Sequence, residues 1–251
     1  MNYFVDEKSI VRQIWKKSDT VLLIFAGSAA EFALNKAVDW LYFTGKIPTN
    51  PLERLFSTVE FAQKIVFSEN EIALATIDKI TAIHQNVERS RGKTIPDWAY
   101  RDVLYMLIDY SIRSFELLER QLESYEKEEV FNVFNRLGNR MGLKNLPNNY
   151  NQWLIERNIH LENNLQKGNF TIHLFEQYKK HLGSFRYFIL IQIQKALVPK
   201  IVFNKLFKPS NFPTAVLIKL YKLLKKVKLD SLIKFIILPK NIKQNLLKLE
   251  N

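Results

Sequence analysis

Ala73, Ile77, Ile80, His84 and Val87 follow one another at spacings of four, three, four and three. On a helix, that spacing puts all five on one face. His84 therefore stands where an apolar core residue is expected. Two readings fit. The imidazole is either held in an apolar pocket, where it could ligate the iron of a planar macrocycle, or it is a core histidine bonded to a backbone carbonyl. Spacing alone favours the second. A helix upstream carries Arg54 and Thr58 four residues apart, flanking a stripe of Leu55, Val59, Ala62 and Val66. A guanidinium and a hydroxyl beside such a stripe could bind a carboxylate or polarise a bound oxygen species. A surface arginine paired with Glu53 or Glu60 would have the same spacing.

Other chemistries find little footing. The chain has no cysteine, which removes disulfides, iron–sulfur clusters and thiolate ligation. Glycine-rich phosphate loops, a Gly-x-Ser-x-Gly elbow and paired Glu-x-x-His motifs are all missing. His160, His173 and His181 are dispersed, and Glu156 with His160 reads as a structural or surface pair.

The elements that must carry these residues read as helices. The 251 residues are 47% hydrophobic and 13% aromatic, with only 7 glycines and 8 prolines. That composition predicts an all-α, single-domain, multi-helix protein. Helices are expected over about 7–17, 19–43, 52–67, 68–90, 97–122, 127–141, 150–165, 174–197, 217–226 and 229–238. Loops are expected at 45–51 and between Pro209 and Pro213. Ser68 with Glu71 forms a candidate capping box. The apolar run 21–43 is interrupted by Glu31, Lys36 and Asp39, so it reads as a buried helix, not a membrane span. No secretory leader is legible at the start.

Charge divides the chain. Residues 195–251 hold 13 lysines, no arginine and two acids, so they carry +11 of the formal +12. These lysines alternate with Leu, Ile, Val and Phe, as in amphipathic helices on anionic membranes. A solvated surface helix fits equally. Nucleic acid is not expected, because arginine forks and stacking rings are lacking. The expected organisation is a core over 1–194 and a lysine-rich extension over 195–251, in a cytoplasmic protein that is peripheral to the membrane where the extension docks.

Four segments then occur in a telling order. Ser18-Asp19-Thr20-Val21-Leu22-Leu23 is followed by Asn50-Pro51-Leu52-Glu53-Arg54-Leu55-Phe56-Ser57-Thr58. Next come Val66-Phe67-Ser68-Glu69-Asn70-Glu71-Ile72-Ala73 and Ile83-His84-Gln85-Asn86-Val87. Together they resemble the MpaB-like and latex-clearing (rubber oxygenase) family over about residues 18–142. The resemblance implies a globin-like helical core around haem b, with His84 as the axial ligand. It also implies Arg54 and Thr58 near the haem on its other side, as cofactor-binding and catalytic residues. The implied reaction is cleavage by dioxygen of a hydrophobic, alkene-containing substrate, isoprenoid or lipid-like, to two carbonyl products. Departures occur at Asn35-Lys36, where family members have His-Pro. Tyr105, Leu107 and Asp109 replace Trp, His and Thr, and Glu88 replaces an arginine one turn after the histidine. The alternatives are a non-catalytic haem-binding or gas-sensing protein and a haem-free protein of the membrane surface.

Overall fold

The computed structural model describes residues 2–43, 51–209 and 214–226, with side chains in the second stretch described from Thr58 onward. The expected loop at 45–51 lies outside the described residues except for Pro51, and so does the expected helix at 229–238. Among the described residues the chain is all helical: α1 (Ile10–Trp15), α2 (Ser18–Phe32), α3 (Asp39–Phe43), α4 (Pro51–Phe67), α5 (Asn70–Arg91), α6 (Asp97–Leu118), α7 (Ser124–Arg140), α8 (Tyr150–Asn163), α9 (Asn169–Leu197), α10 (Lys200–Leu206) and α11 (Thr214–Lys226). None of these helices is long and apolar enough to cross a membrane.

The most extensive packing is between α2 and α6. α2 is apolar on nearly every side and buries most of its length, as a central helix must. Gly27 lets the two backbones approach. A Cβ there would lie 2.3 Å from Tyr110 Cδ1 and 2.9 Å from Leu197 Cδ2. The Tyr110 ring has little freedom to withdraw, because its hydroxyl donates to Glu31 Oε2 at 2.9 Å. Gly27→Ala is therefore expected to destabilise the fold by about 1–3 kcal/mol, the usual cost of overpacking. Urea unfolding reads this directly, and an unchanged midpoint would show that Tyr110 yields. On the far side of α2, Trp15 packs edge-on against Phe25 and tilted against Phe134. These rings anchor the main apolar core. A smaller cluster of Ala33, Val38, Leu174 and Tyr178 joins the chain after α2 to α9.

The long helix expected over 19–43 ends at Phe32. Asn35 breaks it, its side-chain oxygen accepting from Ala37 N at 2.8 Å while its amide donates to Asp102 Oδ2 at 2.7 Å. Local bonds of this kind compete with the helical ladder. The backbone also pairs sideways, with Lys36 N donating to Asn164 O and Gln166 N to Leu34 O. The expected box at Ser68 is absent too. α5 begins at Asn70, whose N–H is taken by Asn2 O at 2.8 Å. At the start of α7, Glu126 Oε2 instead accepts from Glu123 N at 2.9 Å. α9 starts earlier than expected, at Asn169, and bends at Gly183, whose φ of 74° is readily open only to glycine. It runs through Lys195 without a break, and Leu197, Val198 and Val202 sit in the main core. α10 was not foreseen.

α11 is pinned to the body by its inner face. Lys225 Nζ reaches Asp19 Oδ2 at 2.6 Å and Glu119 Oε1 at 2.5 Å, and Tyr221 donates to Asp19 at 3.1 Å. Lys17 takes the other Glu119 oxygen at 2.9 Å. Burial alone would push the Glu119 carboxyl up, but the hydrogen bonds from Lys225 and Lys17 outweigh it and hold it below the usual range. A depressed carboxyl stabilises the fold above its unfolded value and stops doing so as pH falls through the folded one. Acid is thus expected to loosen α11, beginning below about pH 4, the ordinary glutamate range. Hydrogen exchange of the α11 amides between neutral and acid pH measures it. Protection that does not fall would contradict the latch.

Candidate functional site: a histidine cleft and a buried arginine

The five-residue face of α5 is real but graded in depth. Ala73 and Ile77 are fully buried, whereas Ile80, His84 and Val87 are half-buried. His84 sits where the stripe climbs out of the core. Its ring packs edge-on against Tyr100, with centroids 5.2 Å apart. Tyr100 is held in turn, since its hydroxyl donates to Glu88 Oε1 at 3.2 Å, the same oxygen that accepts from Ile95 N at 2.8 Å. Burial first, and then the Glu88 charge, raise the Tyr100 hydroxyl well above its ordinary range, so it stays a neutral donor.

Beside the imidazole is a cleft of about 200 Å³, between α5, the start of α6 and the turn after α7. Its lining includes Thr81, His84, Glu88, Asp97, Tyr100 and Met141. Asp97 is paired with Arg101 at 3.0 Å. Arg91, at the end of α5, stacks over Trp40 at 4.1 Å and pairs with Asp39 at 2.5 Å. It is thereby drawn toward α3.

α4 and α5 form a tight antiparallel hairpin with only Ser68 and Glu69 between them. Lys79 Nζ lies 6.0 Å from the Phe61 ring centroid, a cation–π contact across the hairpin. Thr58 is half-buried on α4, and the Arg54 side chain lies outside the described residues.

A second polar centre lies in the core, away from the cleft. Arg157 of α8 is buried and grips Glu31 of α2 with both terminal nitrogens, each at 2.6 Å. It also reaches Asp109 Oδ2 of α6 at 3.0–3.1 Å. Arg113 takes the other Asp109 oxygen at 2.6 Å. Burial works against the Arg157 charge, but Glu31 and Asp109 overcome it, so the guanidinium stays protonated. One turn along α8, His160 Nδ1 meets buried Asp102 Oδ1 at 2.5 Å. Asn35 and Asn164 donate to the same carboxylate. Glu156 accepts from Tyr105 at 2.6 Å. Glu156 and His160 are therefore structural ties between α6 and α8. Their signal in the sequence was carboxylates set into apolar helices, which must find partners.

Residues 15–153 match a family model described as the catalytic domain of the ER-bound oxygenase mpaB/B' and rubber oxygenase. The chain belongs to the mpaB/rubber-oxygenase family. No curated protein and no solved structure matches it. The mpaB/rubber-oxygenase segment runs from the end of α1 into the first turn of α8, so it contains α4, α5 and the His84 cleft. It also contains Glu31, Asp102 and Asp109. Their partners Arg157, His160 and Asn164 lie beyond it. The family supports an oxygenase-like role for the chain, with a small-molecule substrate and dioxygen.

Proposed function

We propose that the chain is a haem b-dependent oxygenase-like protein acting on a hydrophobic alkene, isoprenoid or lipid-like. The observation that carries this reading is the His84 imidazole, half-buried and braced by Tyr100 beside a cleft, inside the family-matched segment. Its donor chemistry suits haem iron: an imidazole rising from an apolar helix face. The cleft itself is smaller than the roughly 300–1,000 Å³ of small-molecule pockets, so a macrocycle would need the cleft to widen. On this reading residues 1–194 are the cofactor-binding core and 195–251 an extension continuous with α9.

Haem held here would supply the redox chemistry by which dioxygen cleaves a carbon–carbon double bond. The protein's own work is positional. Tyr100 fixes the plane of the His84 ring, and the hydroxyl–Glu88 bond fixes Tyr100. Ile77 and Ile80 carry the apolar stripe from the core toward His84. Arg54 would contribute a cation for a haem carboxylate and Thr58 a hydroxyl donor.

One observation favours the non-catalytic alternative. Glu88, in place of the family arginine, is engaged by Tyr100 and Ile95, and Asp109, in place of a threonine, is engaged by Arg157 and Arg113. Both positions serve packing. Oxygen uptake by the haem-loaded chain with an alkene-bearing lipid separates the readings. Uptake with carbonyl product, reduced about tenfold or more in Arg54→Ala, supports the oxygenase; losses of that size follow removal of one positioned charge. A loaded chain that consumes no oxygen is a haem-binding protein that has lost the reaction.

A further inference from the structure

We infer that α11 is a membrane-docking helix whose outward face settles on an anionic lipid surface. This deepens the reading of a lipid-like substrate but does not depend on haem at His84.

The latch described above fixes how α11 is rotated. Tyr221 and Lys225 turn inward to Asp19 and Glu119. With that face committed, a second apolar stripe points away from the protein. Val216, Leu220 and Leu223, at spacings of four and three, are 55%, 49% and 59% exposed. Lys219 and Lys226 are exposed on the same side. From residue 195 to 226 the sequence has eight lysines and no acid. The rest of the chain provides nothing comparable, so the charge is concentrated at one end.

The patch continues onto α9. Phe185 and Phe188, 62% and 43% exposed, precede Gln192 by two turns and one turn. Gln192 Oε1 accepts from Thr214 Oγ1, the first residue of α11, at 3.0 Å. Two exposed phenylalanines thus stand beside the start of the leucine stripe.

Leucines outward between lysines are the chemistry of an interfacial helix. Apolar side chains enter the acyl boundary while ammonium groups stay among the headgroups. A nucleic-acid surface would use arginine forks and stacking rings, and α11 has neither forks nor outward-facing rings. A protein groove would take the leucines but would give no reason for so many lysines without a single acid. Charge complementarity therefore commits the partner to an anionic bilayer.

The test is sedimentation of the full chain with vesicles of phosphatidylcholine alone and with about one-third phosphatidylserine. The chain should pellet with the second and not the first, and rising salt should release it. Lys219→Gln and Lys226→Gln should each weaken binding about fivefold, since each lysine near an anionic surface is worth about one factor of that size. Leu220→Ser with Leu223→Ser should weaken it more than about tenfold, with helicity and melting unchanged because both side chains are exposed. Lys144→Gln, exposed in the turn after α7 and outside the basic stretch, controls for charge placed elsewhere and should bind as wild type. Failure to pellet, equal binding to neutral vesicles, or wild-type binding by the leucine variant would each overturn the proposal. Running the series with and without added haem keeps its fate separate from that of His84.

Discussion

His84→Ala should lower haem occupancy by about tenfold or more at equal protein and haem concentrations, because the axial imidazole is lost. Asp97 and Glu88 line the same cleft but are engaged with Arg101, Tyr100 and Ile95. Carboxylates are in any case poor substitutes for imidazole at haem iron. The fold should survive, since His84 is only half-buried and the deeply buried part of its stripe is Ala73 and Ile77. A companion variant sharpens the result. Tyr100→Phe keeps the ring that packs on the imidazole but loses the bond to Glu88. It should retain haem and shift the spectrum through a looser ligand orientation. Equal occupancy in wild type and His84→Ala would assign the histidine to the core.

Arg157→Met should be the most damaging single change for stability, at about 3–5 kcal/mol. The side chain volume is nearly kept, so the loss is electrostatic. Among the described residues it leaves buried Glu31 with Tyr110 as its remaining side-chain donor, and Asp109 with Arg113. Buried charge stripped of its partner is what makes such deletions severe. The double variant Arg157→Met with Glu31→Gln removes both members of the tightest pair, and Arg113 still serves Asp109. It should therefore be more stable than Arg157→Met alone, a sign of coupling that unfolding of the single and double variants would reveal. A double variant less stable than the single would mean that Arg157 acts mainly by packing.

Much of this was legible in the residues. Scarce glycine and proline and repeated apolar spacing gave the helical class, and the ordered segments around Asp19, Arg54, Phe67 and His84 gave the family. What escaped was long-range partnering. Nothing local shows that Asn35 will leave its helix to bond Asp102, 67 residues away, so α2 was read as running on to Phe43. Nor does spacing distinguish a solvated Arg157 from one that neutralises two buried carboxylates. The Ser68 capping box was a sound local pattern overridden by tertiary pairing with Asn2. The His84 face was legible as a face but not in its depth, because periodicity gives direction around a helix and not distance from the core.

The most direct test is a haem titration of the purified wild-type chain, followed in the Soret region. Saturation is expected at about one haem per chain, with the spectrum of a histidine-ligated b-type centre. A titration that climbs without saturating, or that saturates with no histidine-ligated spectrum, would contradict it.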